Sequence, residues 1–282
     1  MSICAPGIGD EVSCMPLNEI LECVRYYNNT VPTNRQITVS FNREIMQPKR
    51  YKKYLLDELN SRLNCSSEKC VTDKLIKADL IKNLQLVIKL KKNTYKPNGP
   101  EGKFTWLNTL NINDVMHQYY LKEHGKQYID TIPMDFASLP HTSYIYNGNY
   151  QDYLDRNIYK LGIVFNLDNH DQGGSHWVAL YINLQKGQIY YFDSVAEPPE
   201  QRVKDLMNKI ARFIKSKGNK PDMDYNKIVH QRKNTECGVY SIYFLLRMSI
   251  DHDFNEHCAK VTTDDDVNKI RDILFIKNGR QD

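Results

Sequence analysis

Apolar residues recur at helical spacing through the first third of the chain and at strand spacing further on. Leu17, Ile20, Leu21 and Val24 predict a helix over residues 16–27. Pro48 fits a first helical turn, after which Tyr51, Tyr54, Leu55 and Leu59 share one face up to an end near Asn64. A third helix is predicted to start after Thr72 or Asp73 and to carry Ile76, Leu80, Leu84 and Val87. The turn residues Pro97, Asn98, Gly99, Pro100 and Gly102 then interrupt the pattern. The chain is accordingly divided into a helical arm, residues 1–100, and a larger domain, residues 101–282.

In the second part, Asn111, Asn113 and Asp114 offer caps to a helix bearing Val115, Met116, Tyr119 and Tyr120. The tyrosine-rich residues 144–159 fit a core edge or a substrate groove equally well. From Gly162 the period changes. Residues 162–167, 176–182 and 188–192 are rich in β-branched and aromatic side chains and are separated by turn residues, which predicts strands. Pro198 and Pro199 open a helix with Val203, Leu206, Met207, Ile210, Phe213 and Ile214 inward, and Gly218 can stop it. A short strand is predicted over residues 225–229. The apolar run 239–250 then reads as a buried helix, with Cys237 in its first turn. The fold class is α+β, a small sheet with a cysteine-bearing helix beside it.

At 282 residues the chain can bury a full core. It has no apolar run long enough to cross a bilayer and no secretory leader pattern, so no membrane contact is expected. The cysteines at 4, 14, 23, 65, 70, 237 and 258 are therefore expected as reduced thiols of an intracellular protein, at least one unpaired by parity. Zinc is not expected at Cys65 and Cys70, since no second ligand pair follows, and without a secretory leader pattern neither is a disulfide. His252, His257 and Cys258 read as a polar loop. Asp264, Asp265 and Asp266 read as favourable charge at the start of a helix bearing Val267, Ile270, Ile273 and Leu274. No metal or cofactor is called for. The charge is uneven, with 16 Lys/Arg against 10 Asp/Glu in residues 1–100 and 22 against 24 in the rest. Solvated basic helices account for this, and a weak contact of the arm with nucleic acid or another acidic assembly stays open.

The chemistry concentrates on three residues. Cys237 stands where a helix dipole and unpaired N–H groups favour thiolate over thiol. His176 and Asp193 lie on either side of a turn near residues 184–187, so a hairpin brings them together on one face. Asp193 can then fix the tautomer of His176 and leave its other nitrogen facing Cys237. Gln231, six residues before Cys237, can donate to a developing oxyanion beside the Cys237 N–H. Trp177 can wall a narrow groove that favours glycine before the scissile bond. Gly173 and Gly174 give a flexible approach to His176. Each residue alone has a structural explanation, and it is their coincidence that points to a thiol protease.

The pair His176-Trp177, the strand ending in Asp193-Ser194, and Gln231 before Cys237-Gly238 resemble the adenovirus-protease and SUMO-protease superfamily of cysteine peptidases over roughly residues 105–275. Cys65 to Cys70, Leu110 to Asp114, Met134-Asp135-Phe136 and Asn234 to Gly238 extend the likeness to its polyprotein-processing branch in large DNA viruses, arm included. The resemblance implies a papain-like core with a small mixed sheet flanked by helices, and His176, Asp193 and Cys237 as triad. It implies Gln231 as oxyanion donor, with Trp177 and Asn166 at the substrate. It also implies cleavage after Gly-Gly in viral structural polyproteins, by a monomer acting in the virion and the host cytoplasm, where the arm would touch the virion core. Asp193 departs from the Asn of the viral branch and matches the SUMO proteases. The alternatives are therefore an isopeptidase acting on ubiquitin-like modifiers and, non-enzymatically, an inert protease fold serving as a scaffold or nucleic-acid-binding protein.

Overall fold

The computed structural model describes residues 3–102, 104–120 and 124–276, and its internal contacts divide the chain into two compact units, Met1–Pro97 and Asn98–Asp282. The first unit is helical: α1 (Leu17–Asn28), α2 (Phe41–Met46), α3 (Pro48–Leu63), α4 (Glu68–Lys77) and α5 (Leu84–Lys89). Pro48 opens α3 and Asn64 closes it in the left-handed conformation at φ 49°. Ile20, Val24, Leu55, Leu59, Val71 and Leu75 form its core.

The single third helix expected from Thr72 or Asp73 is corrected to two. Ser67 caps α4 earlier, its side chain accepting from Cys70 N at 3.2 Å. Asp79, at φ 52°, then turns the chain, and Asn83 caps α5. The supposed common face does not exist, for Leu84 is 67% exposed while Leu86 is buried.

The thiol assignment is also corrected. Disulfides join Cys4 to Cys14 and Cys65 to Cys70, leaving Cys23, Cys237 and Cys258 free and buried. Their Cα atoms are 5.0 and 5.6 Å apart, within disulfide reach, because each pair closes a short local loop. Gly9 lets the first loop close: at φ +86°, a Cβ there would meet Ser13 O at 2.7 Å. Spacing along a sequence does not reveal such returns of the chain.

The second unit runs α6 (Thr109–Tyr120), β1 (Lys126–Ile132), α7 (Ser143–Asn147), α8 (Gln151–Asp155), β2 (Lys160–Asn166), β3 (Trp177–Asn183), β4 (Gln188–Phe192), α9 (Gln201–Ser216), β5 (Asp222–Tyr225), α10 (Cys237–Ser249), α11 (Phe254–Ala259) and α12 (Asp264–Leu274). Among the described residues its five strands lie in the order β1-β2-β3-β4-β5; the outer pairs are parallel and the inner ones antiparallel. This is the small mixed sheet flanked by helices expected of an α+β chain. Both faces are covered, which is why β3 reads as an unbroken apolar run. Val178, Leu180 and Ile182 join the core with α9, while Trp177, Ala179 and Tyr181 join the core with α6 and α10.

Two boundaries move, one strand is new and one expected loop is a helix. The helix expected at residues 111–114 starts at Thr109, because Asn108 and Asn111 exchange hydrogen bonds, Asn111 N to Asn108 Oδ1 at 2.9 Å and Asn108 N to Asn111 Oδ1 at 3.1 Å. The strand expected over residues 225–229 is β5, three residues earlier. β1 was not expected: Lys126, Gln127, Asp130 and Thr131 around Tyr128, Ile129 and Ile132 give no clean alternation. The polar loop expected at His252, His257 and Cys258 is instead largely α11, with His257 and Cys258 buried and His257 packed against Phe192, Phe244 and His230.

Candidate active site

The hairpin of β3 and β4 carries His176 just before its first strand and Asp193 just after its second. Ala179 pairs with Phe192, so the register continued places Asp193 opposite Val178, two positions from His176 and on the same face. His176 Nε2 lies 2.7 Å from Asp193 Oδ1. Asp193 is fully buried, and the same Oδ1 accepts Val195 N at 2.9 Å. Asn226 grips its main chain, its Oδ1 accepting Asp193 N at 2.9 Å and its Nδ2 donating to Asp193 O at 2.6 Å.

Cys237 is the first residue of the 13-residue α10 and is 2% exposed. Gly238 allows that helix to approach its neighbours, for a Cβ there would stand 3.1 Å from Leu107 Cβ and 3.3 Å from Trp177 Cδ1. The His176 imidazole is bonded to Asp193 and feels Cys237 as well, which lies near enough to act on its charge. Burial, the largest single influence, works against a charge on the ring. The bond to Asp193 and the negative charge of Asp193 and Cys237 outweigh it and raise the His176 pKa to about 10. An imidazole held between a carboxylate and a sulfur can keep a proton while the sulfur is a thiolate, the state in which sulfur attacks a carbonyl.

Gln231 is buried. Its Nε2 donates to Lys233 O at 2.7 Å and its Oε1 accepts from Ser194 Oγ at 2.6 Å. An amide nitrogen carries two hydrogens, so the bond to Lys233 leaves the other for a ligand. The segment between Gln231 and Cys237 is held from α12. Asp264 Oδ2 accepts the N–H groups of Arg232 and Lys233 at 3.0 and 3.1 Å. Arg271 is buried and donates to Thr235 O at 2.9 Å and to Thr105 O at 2.6 Å.

Sequence reasoning missed Asn226 and Arg271 and read Asp264 only as favourable charge on a helix start. A signal existed for Arg271, which falls between Val267 and Leu274 on the apolar stripe of α12. For Asn226 there was none.

A groove of about 460 Å³ lies beside this cluster, lined by residues that include Trp106, Leu107, Thr131, Asn166, Gly173, Gly174 and Trp177. Trp177 forms a wall of it but is itself buried, its Nε1 donating to Leu107 O at 2.9 Å. Asn166 pairs with Trp177 across β2 and β3, and its Oδ1 accepts Asp168 N and Ser175 N at 3.2 and 3.4 Å.

Hydrogen bonds hold the loop on either side of Gly173 and Gly174. Asp135 accepts His170 N at 3.0 Å and meets the His170 ring at 2.5 Å; Arg202 donates to Asn169 Oδ1 at 2.7 Å; Ser175 Oγ donates to Asp168 at 2.8 Å. Gly174 sits at φ +85°, where a Cβ would meet Asn166 Nδ2 at 2.6 Å. Among the described residues the group of three metal-type donors found, Cys4, Cys14 and Glu68, lies in the first unit, and its two sulfurs are bonded to each other.

Residues 160–280 match the model of the C-terminal catalytic domain of the Ulp1 protease family. A protein named as a thiol protease in Acanthamoeba polyphaga mimivirus is 29% identical over 98% of this chain and 93% of its own length. A cysteine protease of African swine fever virus is 26% identical over 83% of this chain and 92% of its own. The crystal structure of the African swine fever virus protease superposes with a TM-score of 0.67 at 21% identity, covering 98% of this chain and 96% of that one, and so shares its fold. Residues 160–280 therefore carry an Ulp1-like peptidase domain, and the chain is a cysteine peptidase.

Proposed function

We propose that this peptidase cleaves after Gly-Gly in viral structural polyproteins, with Cys237 as nucleophile, His176 as acid and base, and Asp193 as the group that orients the base. The observation that carries the reading is the imidazole of His176, bonded at 2.7 Å to a fully buried carboxylate, with Cys237 near enough to help raise its pKa. The Cys237 thiolate adds to the scissile carbonyl carbon. The resulting oxyanion is met by the Cys237 N–H and the Gln231 amide. The C–N bond then breaks as imidazolium His176 gives its proton to the departing amine, leaving a thioester on Cys237. Water, deprotonated by His176, releases the acid product and restores the thiol pair.

The preference for glycine is supported by the close packing of Trp177, Leu107 and Gly238 beside the nucleophile. Asn166 and Trp177, both on the groove, are the residues we assign to substrate contact. The first unit, with its excess of basic residues, is assigned to contact with the virion core or its nucleic acid, and the place of action to the virion and host cytoplasm. Asp193 favours a second reading, an isopeptidase acting on ubiquitin-like modifiers, because the SUMO proteases carry Asp there.

The test offers purified protein Gly-Gly-Xaa peptides and electrophile-tipped ubiquitin and SUMO, beside Cys237→Ala. Peptide turnover lost with Cys237→Ala supports the endopeptidase. Labelling by a modifier probe without peptide turnover supports the isopeptidase. A wild type as inert as Cys237→Ala on every substrate contradicts both.

A further inference from the structure

We propose that Ser194 is a positioning residue that holds the Gln231 amide in the orientation the Lys233 carbonyl selects; the role rests on Gln231 being the oxyanion donor. The Lys233 carbonyl can only accept, so the Gln231 nitrogen must face it. The Gln231 oxygen is thereby turned to the opposite side, where it needs a donor, and the Ser194 hydroxyl supplies one at 2.6 Å. Ser194 is 1% exposed and Gln231 5%, so bulk water does not replace the hydroxyl. The reverse orientation would set the amide oxygen against the Lys233 carbonyl oxygen and is excluded.

The main chain of Ser194 completes the hold. Its carbonyl accepts both His230 N and Gln231 N at 2.9 Å. Gln231 is thus fixed through its backbone and its side chain by one residue, and that residue follows Asp193, whose Oδ1 holds His176. A single dipeptide at the end of β4 aligns the base through Asp193 and the oxyanion donor through Ser194. An adjustment at this strand end would move both together, preserving their geometry around Cys237.

Ser194→Ala removes the hydroxyl and keeps the two main-chain bonds, which makes it the informative change. The experiment measures kcat and KM on a Gly-Gly peptide for wild type, Ser194→Ala, Gln231→Ala, the double variant and Ser194→Thr. It also measures the rate of Cys237 alkylation by iodoacetamide, a displacement that forms no oxyanion. Gln231→Ala is expected to lower kcat by about 10²–10³-fold. Ser194→Ala is expected to lower kcat by roughly ten-fold, within that bound, with KM and alkylation unchanged. It should cost nothing further in the Gln231→Ala background, and Ser194→Thr should restore kcat.

Slower alkylation in Ser194→Ala, or an equal cost in the Gln231→Ala background, would show a merely structural residue and overturn the proposal. A damaging Gln231→Ala with a harmless Ser194→Ala would overturn it while sparing the oxyanion reading. A harmless Gln231→Ala would overturn the oxyanion reading itself.

Discussion

The two units bury polar side chains in different ways. In the first unit they are scattered and mostly served by one partner: Glu19 by Lys89, Lys52 by Asp10, Thr72 by Lys69 O and Thr94 by Lys89 O, with Ser13 bonded to both Glu68 and Met15. In the second unit, Asp193, Ser194, Asn226, His230, Gln231, Asp264 and Arg271 converge on the two segments that flank His176 and Cys237. Scattered pairs stabilise a fold, and losing one loosens it locally. A converging set fixes the relative positions of reacting groups, so a loss anywhere in it is felt at the sulfur.

The contrast can be broken by substitution, starting with the largest effect. Cys237→Ala and His176→Ala should each lower kcat by about 10⁶-fold, measured by single-turnover peptide hydrolysis. Asn226→Ala removes the partner of the buried Asp193 N–H and one of the two donors to its carbonyl, and should lower kcat about 100-fold, by analogy with lost supporting groups at other sites. Lys52→Met in the first unit should leave kcat within error and lower only the melting temperature; an equal kcat loss in both variants would erase the distinction between the units. Reducing the two disulfides should cost the first unit about 2–3 kcal/mol each from loop closure, read by urea unfolding, with peptide hydrolysis unchanged.

Per pH unit the effects of pH are the smallest, and they have opposite signs in two histidines of the same unit. Burial holds the His257 pKa down to about 3 from 6.5, so the unfolded chain binds the extra proton between those values. Its contribution to stability is present above about pH 6.5 and is lost as pH falls toward 3, at up to about 1.4 kcal/mol per pH unit. His176, raised to about 10, contributes stability that is full below 6.5 and lost as pH rises through 10. Urea melts across pH 4–10 on wild type, His257→Phe and His176→Phe would separate the two slopes.

The same contrast explains what could be read in advance. The strands around His176 and Asp193 were legible because both faces of β3 are apolar and its hairpin is short, so residue type and spacing fixed the pairing. The first-unit helices were legible where caps and apolar faces agreed, as in α3 with Pro48 and Asn64. They were not where Asp79 turned the chain between α4 and α5, a left-handed conformation that aspartate does not announce. The disulfides and β1 depend on returns of the chain that no local pattern encodes. Asn226 and Ser194 act through single hydrogen bonds that only the folded chain reveals.

The central claim, that the second unit activates Cys237 in particular, is tested most directly by competition among the three free cysteines. Burial raises the thiol pKa of Cys23 and of Cys258 to about 12, with nearby carboxylates adding to the effect. Native protein would be treated with substoichiometric iodoacetamide at neutral pH and the labelled peptides quantified by mass spectrometry. The label is expected on Cys237 almost alone, with that preference abolished in His176→Ala. Equal labelling of Cys23, Cys237 and Cys258, or a preference for Cys237 that survives His176→Ala, would contradict the account.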